Sequence, residues 1–450
     1  MPNPTNPEVS IMSSSLDSIS IIEQLKSNRF VKADYLLFIA LMLFAFVPSI
    51  NQLIVDHLIS GLENNLLNVA GQIEWFDLFN ETLLAFLIVP LYFVFNKVAN
   101  DDGRLRSRIT QTFAVGLVLY TIISVFIYVY ASSLSSYMDA PGESLAYLRL
   151  ETIGFVLGFV SSFIYVIFVV RGRWRYVLFL LMAKVSILSI GNMILIPEHG
   201  VMGIAMTNIV TNIALLIVSS LLLHKEGLLQ FKIRFDKLTM KDWTRTGMFS
   251  GSQIFLDNLV YMVIIVKMVN EVSSVGIYWL ANNFIWGWLL IPIVALSEIA
   301  KRDYYNGYRR IYNYLVLVAV IAFAWLLSVP LWDVMFTDVV QAQDPGGVLE
   351  ILYLLVPFYV AYAVAAVFDG ILTSVGKTWY LLGISLVVNI GYYGLVYSMF
   401  LGGWFTASIP FIISMFGFGM VVHMALSIVF YLHSRRQAFP RRTDVGHYGD

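Results

Sequence analysis

The stretch "YLLFIALMLFAFVPSINQLIVDHLISG" (35–61) is a long apolar run with a single carboxylate, Asp56, inside it. A run of about 20 apolar residues is long enough to cross a bilayer as a helix, and such runs recur along all 450 residues of the chain. The chain is 59% hydrophobic and only 13% charged, with a mean hydropathy of +0.77. A soluble domain could not bury so much apolar surface, and the strands of a β-barrel would be shorter and would alternate in polarity. The sequence therefore predicts an all-α, polytopic membrane protein.

The composition also excludes several kinds of site. The chain has no cysteine, which rules out disulfides and thiolate metal sites. Its net charge of −1 gives no indication of a nucleic-acid partner. The first residues, "MPNPTNPEVSIMSSS" (1–15), lack the basic segment and apolar core of a signal peptide. We expect a monomer whose partners are the lipid bilayer and a small-molecule substrate, with no cofactor and no nucleic acid.

Twelve apolar segments have the length of a membrane span. A short amphipathic helix is predicted before them, over "LDSISIIEQLKSN" (16–28). The predicted spans are 34–58, 74–96, 109–132, 147–170, 176–196, 201–223, 244–268, 274–299, 311–334, 349–373, 379–400 and 406–433.

The distribution of basic residues orients these spans. Of the 28 lysines and arginines, 25 fall in segments on one side of the predicted membrane. Cytoplasmic loops carry such an excess, so both termini are expected in the cytoplasm. The remaining three are Arg149 and Lys267, at outer helix ends, and Lys184, inside the fifth span.

The longest charged loop divides the spans equally. The predicted units are a cytoplasmic segment, a six-helix lobe, an inter-lobe loop, a second six-helix lobe and a cytoplasmic tail, at 1–33, 34–223, 224–243, 244–433 and 434–450. "RGRWRYVLFLL" (171–181) follows span four and "VGKTWYLLGI" (375–384) follows span ten, so the halves match at a tight turn. Since each half has an even number of spans, we expect a pseudo-twofold axis along the membrane normal, with substrate at the interface between the halves.

Four motifs carry a resemblance to a known family. They are "LIVDHLISG" at the end of span one, "VVRGRWRYVL" at the fourth-to-fifth turn, "HGVMGIAMTNIVTN" opening span six, and "SQIFLDNLVYM" in span seven. The chain resembles the multidrug and toxin extrusion (MATE) family, within the superfamily that includes polysaccharide flippases, as a divergent member.

The resemblance implies an antiporter of the cytoplasmic (inner) membrane that exports an amphiphilic or cationic organic compound in exchange for H⁺ or Na⁺, by alternating access. It places Asp56 and Asp257 where the family often has acidic residues, and it implies that Na⁺ could bind near either one. One departure concerns span five, which carries Lys184 and Asn192 but no second aspartate of the family pattern.

Ionisable and amide side chains inside the spans are the candidate coupling or substrate-binding residues, because a charge at the bilayer centre costs several kcal/mol and usually faces a cavity or a partner. For each of them a structural or interfacial role is the alternative. The charge of Lys184 inside a span would be stabilised by an ion pair with a carboxylate, and Asp56 and Glu81 are the candidate partners in the same half. The full set is Asp56, Glu81, Lys184, Asn192, Asp257, Asn282 and Asp369.

Two other functions compete with the antiporter. A lipid-linked saccharide flippase would be expected to have a cationic cavity, whereas here Lys184 is the single basic residue at mid-membrane and the acids outnumber it. A membrane-embedded transferase is a remote alternative, since the predicted outer loops are short. No phosphate-binding glycine loop occurs, which argues against direct use of ATP. We therefore expect a transporter and not an enzyme.

Overall fold

The structure, a computed structural model, describes residues 30–62, 64–99, 101–137, 142–228, 235–272, 275–305, 308–375, 377–406 and 408–436. These residues are mainly helical and contain no β-strand. The helix predicted at 16–28 lies outside the described residues, as does most of the predicted tail.

Twelve helical units follow one another in the described part of the chain. They are α1 (Lys32–Ser60), α2 (Asn64–Leu87 and Val89–Asn96), α3 (Asp102–Tyr137), α4 (Gly142–Val170), α5 (Trp174–His199), α6 (Val201–Lys225), α7 (Lys237–Val260, Tyr261–Val266 and Lys267–Glu271), α8 (Val275–Phe284, Ile285–Leu289 and Ile291–Tyr305), α9 (Ile311–Val334 and Met335–Val339), α10 (Pro345–Ser374), α11 (Thr378–Leu386, Val387–Tyr393 and Gly394–Leu401) and α12 (Ile409–Arg436). By length and composition 11 of the described helices could each cross a membrane, and α8 makes 12 if its two parts form one span. This agrees with the predicted number of spans.

Several helices extend beyond the predicted spans, because hydropathy detects only the apolar part of a helix. The third was predicted at 109–132, but α3 runs from Asp102 to Tyr137. The seventh was predicted to begin at 244, but α7 begins at Lys237, where Asp236 accepts hydrogen bonds from the backbone N–H groups of Leu238 and Thr239 at 3.1 and 3.3 Å. The inter-lobe connection is therefore shorter than the predicted 224–243.

Helix α8 is not straight, a feature that the sequence analysis did not anticipate. Its parts before and after Leu290 are bent by 46°. Pro292 follows the break, and proline cannot donate the helical hydrogen bond and crowds the preceding turn. Four π-helical segments occur among the described residues, at Tyr261–Val266, Ile285–Leu289, Met335–Val339 and Val387–Tyr393, and all lie in the second half of the chain.

The twelve helices form two lobes, α1–α6 and α7–α12, with the same internal packing. In the first lobe α4 packs against α6, α2 and α3, and in the second α10 packs against α12, α8 and α9. Each partner in the second lobe is six helices after its counterpart, as two copies of one six-helix unit require. One cluster of buried apolar side chains belongs mainly to the first lobe and another mainly to the second, and each also includes a few residues of the other lobe.

The lobes meet where α1 and α2 pack against α7 and α8. Glycines permit close approach of the backbones here: a Cβ at Gly71 would lie 2.8 Å from the carbonyl oxygen of Val275, and one at Gly247 would lie 2.5 Å from that of Phe86. The interface extends to the end of the bundle that carries the basic segments, which we call the basic end. There Lys97 pairs with Asp242 at 2.7 Å.

Candidate functional site

Among the described residues, one cavity lies between the lobes and another lies inside the first lobe. The cavity between the lobes has a volume of about 470 Å³ and is bordered by α1, α2, α4, α5, α6 and α8. Most of its polar lining consists of amides and carboxylates: Asn51, Gln52, Asp77, Glu81, Asn192, Asn208 and Asn283. It lies at the interface where the sequence analysis expected substrate.

Asp56 joins the two lobes at this interface. It lies near the end of α1 and is 7% exposed. Its Oδ1 accepts hydrogen bonds from Gln52 Nε2, one helical turn earlier, at 3.0 Å and from Asn283 Nδ2 of α8 at 3.1 Å. Both donors are neutral amides, so the carboxylate is solvated by dipoles rather than by a fixed cation.

Asn192 lies at the same cavity, as a buried amide of α5. Its Nδ2 donates to Asn51 Oδ1 of α1 at 3.2 Å, and Ser189 Oγ lies 3.4 Å from the same oxygen. Asn192 Oδ1 has no hydrogen-bond partner among the described residues. The amides of α1 and α5 thus form a polar wall beside Asp56.

Glu81 lies on the opposite wall of this cavity, on α2, with an exposed side chain. Asn258 of α7 donates to Glu81 Oε2 at 3.3 Å, and the same amide lies 3.2 Å from both Thr82 Oγ1 and the carbonyl oxygen of Leu78. Glu81 is therefore a second point of polar contact between the lobes.

A separate polar cluster lies inside the second lobe. Asp257 of α7 accepts hydrogen bonds from Ser385 Oγ and Asn389 Nδ2 of α11, both at 2.6 Å. Asp369 of α10 lies 2.8 Å from His423 Nε2 and accepts a hydrogen bond from Ser427 Oγ at 2.7 Å, both of α12. The charges of Asp257, Asp369 and His423 are close enough to interact.

Irregular helix geometry accompanies this cluster. The π-helical segment Tyr261–Val266 begins one turn after Asp257, and Val387–Tyr393 contains Asn389. π-Helical segments are often found at functional sites.

The cavity inside the first lobe has a volume of about 510 Å³ and is bordered by α2, α4, α5 and α6. Lys184 lies on its α5 wall, and Asp77, Glu151 and Asn208 lie on the other helices. Glu151 is buried, and Asn208 Nδ2 donates to its Oε1 at 2.9 Å. Asp77 and Asn208 line this cavity as well as the one between the lobes.

Lys184 does not form the ion pair considered for it. Among the described residues, no ion pair joins its ammonium to Asp56 or to Glu81, and its side chain lines the cavity inside the lobe. For Asp56, helical spacing explains the difference: Asn192, which bonds to Asn51 of α1, is eight residues or about 12 Å farther along α5 than Lys184. Glu81 instead accepts a hydrogen bond from Asn258 of the other lobe.

The structure brings Asn192 and Glu81 to one cavity, and Asp257 and Asp369 to one cluster. Asp56 lies beside that cavity and is hydrogen-bonded to two of its lining residues, Gln52 and Asn283. The structure does not bring Asn282 to either cavity: that residue is buried, and its neighbour Asn283 is the one that contacts Asp56. Adjacent residues of a helix point about 100° apart, and the sequence alone did not indicate which of the two faced the cavity.

Three further polar residues at these sites were not among the predicted site residues. They are Glu151 and Asp77, at the cavity inside the first lobe, and His423, in the cluster of the second lobe. The spacing of Asp77 and Glu81 on one helix face was a usable signal. Among the described residues, no group of three or more His, Cys, Asp or Glu side chains could hold a metal ion.

Comparison with known proteins identifies the fold of this chain. No protein-family model matches the sequence, and no curated protein does either. Solved structures do match: the inward-facing conformation of a multidrug resistance MATE family transporter superposes with a TM-score of 0.71 at 16% identity, covering 89% of this chain and 97% of that chain. The chain has the MATE fold.

Two further structures with the MATE fold are similar to this chain. The Vibrio cholerae MATE transporter VcmN, in its bent form, gives a TM-score of 0.64 at 15% identity, covering 90% of this chain and 98% of that one. A MOP superfamily transporter from Pyrococcus furiosus gives a TM-score of 0.66 at 17% identity, covering 90% of this chain and 95% of that one. The reversed polarity of that protein's binding pocket is described as suggesting a different function. The fold that the sequence resemblance implied is thus confirmed, with twelve helical units in two lobes in the described part of the chain.

Proposed function

We propose that this protein is a secondary active antiporter that exports an amphiphilic or cationic organic compound in exchange for H⁺ or Na⁺ by alternating access. It would act as a transporter rather than an enzyme, in the cytoplasmic (inner) membrane with both termini in the cytoplasm. One observation carries the proposal. Each lobe contributes a carboxylate, Asp56 or Asp257, whose hydrogen-bond donors are neutral amides and hydroxyls, at least one of them on another helix.

Such carboxylates suit reversible cation binding. A charge inside the membrane is costly unless it is compensated, and amide and hydroxyl dipoles compensate a carboxylate only in part. A proton or Na⁺ would neutralise Asp56 or Asp257, and amide and hydroxyl oxygens nearby are suitable Na⁺ ligands. Binding of the coupling ion therefore has a large electrostatic effect on the helices that hold these residues.

The position of Asp56 links ion binding to the lobes. Its contact with Asn283 joins α1 of one lobe to α8 of the other. Neutralising the carboxylate weakens a charge-assisted hydrogen bond, which is about twice as strong as a neutral one. A ligand shifts a conformational equilibrium only by its differential affinity for the two states, and this inter-lobe contact supplies such a difference.

The two lobes also contact each other beyond the cavity on both sides. At the basic end Arg310 pairs with Asp34 at 2.7 Å. At the opposite end Gln343 Nε2 donates to the carbonyl oxygen of Leu62 at 2.8 Å, and His57 Nδ1 lies 2.9 Å from that of Val339. Alternating access would require these two sets of contacts to open in turn.

A flippase for lipid-linked saccharides is the second candidate. The observation that favours it is Lys184, whose ammonium lines a cavity without an ion-pair partner among the described residues. A cation in that position suits a phosphate-bearing lipid. The acids Asp77 and Glu151 in the same cavity weigh against it, since they would repel a polyanionic headgroup.

Transport by the purified protein in proteoliposomes tests the antiporter directly. A pH gradient and a Na⁺ gradient are imposed separately, and uptake of two amphiphilic dyes is followed: rhodamine B, which has a free carboxylate, and its cationic ethyl ester. We expect one gradient to drive uptake of a dye. Asp56→Asn and Asp257→Asn should lower this uptake at unchanged expression, whereas Asp338→Asn, at an exposed carboxylate, should not. Uptake independent of both gradients, or full activity in both interior variants, would overturn the proposal.

A further inference from the structure

The cavity inside the first lobe separates its positive and negative charges along the membrane normal. Asn208 of α6 bonds to Glu151, and its neighbour Thr207 packs against Gly191 of α5. Glu151 and Gly191 therefore lie at about the same depth. Lys184 is seven residues from Gly191 along α5, towards the basic end, which at 1.5 Å per residue is about 10 Å.

The direction of the lysine side chain adds to this separation. Cα–Cβ bonds tilt towards the N-terminus of a helix, and the N-terminus of α5, at Trp174, lies at the basic end. The side chain of Lys184 thus leaves α5 in the direction away from Glu151. Asp77, by contrast, is close enough to Glu151 for their charges to interact. One part of the cavity is therefore acidic, and the part about 10 Å nearer the basic end of the bundle is basic.

Buried polar atoms in the acidic part have no partner in the described part of the chain. Glu151 Oε2 and Thr211 Oγ1 are in this condition, and each residue is only 1% exposed. Both residues line the cavity. A buried polar group without a hydrogen bond costs about 1–3 kcal/mol, so these atoms favour a ligand that donates hydrogen bonds to them.

We propose that this cavity binds a zwitterionic amphiphile, with its anionic group at Lys184 and its ammonium group at Glu151 and Asp77. The inference rests on the proposed transport function and narrows its substrate class. Apolar side chains between the two ends, among them Leu84, Phe155 and Leu188, provide contact for the body of the molecule. A simple organic cation leaves Lys184 uncompensated, and a simple anion is repelled by the two acids.

The dye pair separates this proposal from its alternatives. Rhodamine B and its ethyl ester have the same cationic diethylamino-xanthylium body, and they differ in that the carboxylate of rhodamine B is esterified in the second dye. Binding of each dye to the full-length protein in nanodiscs is measured at equilibrium by fluorescence anisotropy. The wild type should bind rhodamine B more tightly than the ester.

Two substitutions of Lys184 test the role of its charge. Lys184→Met should weaken rhodamine B binding by about tenfold or more, the scale of a hydrogen bond to a charged group, and should leave ester binding unchanged or tighter. Lys184→Arg should retain the preference for rhodamine B. Lys225→Met, at an exposed lysine of the same lobe outside the cavity, serves as the matched control.

The outcomes are distinct. Equal losses for both dyes in Lys184→Met would show a packing role and overturn the proposal, as would unchanged binding of both dyes. Should Lys184→Met fail to fold, loss of the preference in a folded Lys184→Arg would overturn it as well. Because binding needs no gradient, selective binding without gradient-driven transport would overturn only the antiporter function, and gradient-driven transport without dye selectivity would overturn only this inference.

Discussion

Replacing Arg310 with methionine should weaken the contact between the lobes at the basic end. Arg310 Nη1 lies 2.7 Å from Asp34 Oδ2 of α1 and 3.1 Å from Asp303 Oδ2 of α8. Tyr314 donates to the same oxygen of Asp303 at 2.6 Å, and Arg302 also pairs with both acids. The side chains of Arg310, Asp34 and Asp303 are at most 9% exposed, so this is a buried network.

The magnitude follows from which charges remain. Removing one member of a buried ion pair costs about 3–5 kcal/mol, because the other member is left uncompensated. Arg302 stays beside both acids, but its side chain is 37% exposed and partly hydrated. We therefore expect a loss of about 3 kcal/mol in the free energy of unfolding for Arg310→Met, at the lower end of that range. Adding Asp34→Asn should recover part of it.

Two measurements check this prediction. A double-mutant cycle on unfolding in detergent gives the coupling between Arg310 and Asp34, which should lie within the range of about 0.5–3 kcal/mol found for residues in contact. Because the chain has no native cysteine, one introduced cysteine can report on the accessibility of α1. The cysteine of Leu41→Cys should react faster with a maleimide when Arg310→Met is also present. Arg309→Met, at an exposed neighbouring arginine, is the control.

Unchanged stability together with unchanged labelling would refute the reasoning. A loss of stability without faster labelling would show that the network stabilises one lobe internally, and that it does not hold the lobes together.

Two further predictions concern the packing between the lobes and the start of α7. Gly247→Ala should destabilise the protein by about 1–3 kcal/mol, because the new Cβ would lie 2.5 Å from the backbone oxygen of Phe86. Gly383→Ala is the control and should be tolerated, since no atom lies within 4 Å of a Cβ there. Similar melting temperatures for the two variants would contradict this prediction. Asp236→Ala should cost about 1 kcal/mol as a lost N-cap, and Asp236→Asn much less. Hydrogen bonds from the Thr239 hydroxyl and from backbone amides lower the pKa of Asp236 in the folded protein. The stabilisation by the Asp236 cap is therefore fully present above the pKa of the unfolded chain, about 3.9, and is lost as the pH falls below it. If the stability difference between wild type and Asp236→Ala did not change with pH below about 3.9, the prediction would be wrong.

The number of membrane-spanning helices and their division into two lobes could be predicted from the sequence for a simple reason. The bilayer imposes a length of about 20 apolar residues on each helix, so each membrane span is visible in the hydropathy of the sequence without tertiary information. The ends of the helices are not marked by hydropathy. Lys237 begins α7 because Asp236 caps it, and a capping residue within a charged loop does not stand out from its neighbours.

The partners of the polar residues were harder to predict. Hydropathy identified Asp56 and Asp257 as costly residues, but the residues that solvate them lie on other helices. Asn283 contacts Asp56 and Asn389 contacts Asp257 across sequence separations of 227 and 132 residues. Neither of these pairings follows from the local sequence pattern. The choice between Asn282 and Asn283 depends on the rotation of α8 about its axis. Helix rotation is set by packing, which a single sequence does not display.

Helix α8 connects the two inter-lobe contacts discussed above. Asn283, before its bend, donates to Asp56, and Arg302, after the bend, pairs with Asp34. Both acceptors belong to α1, so one helix of the first lobe is held at two depths by one helix of the second. Because the 46° bend lies between the two contacts, a change in the angle between the parts of α8 alters one contact without requiring the same change in the other. In an alternating-access transporter, neutralising Asp56 would release the first contact while the ion pairs of the second remain. The electrostatics of the proposed coupling site and the contacts between the lobes therefore meet in a single pair of helices.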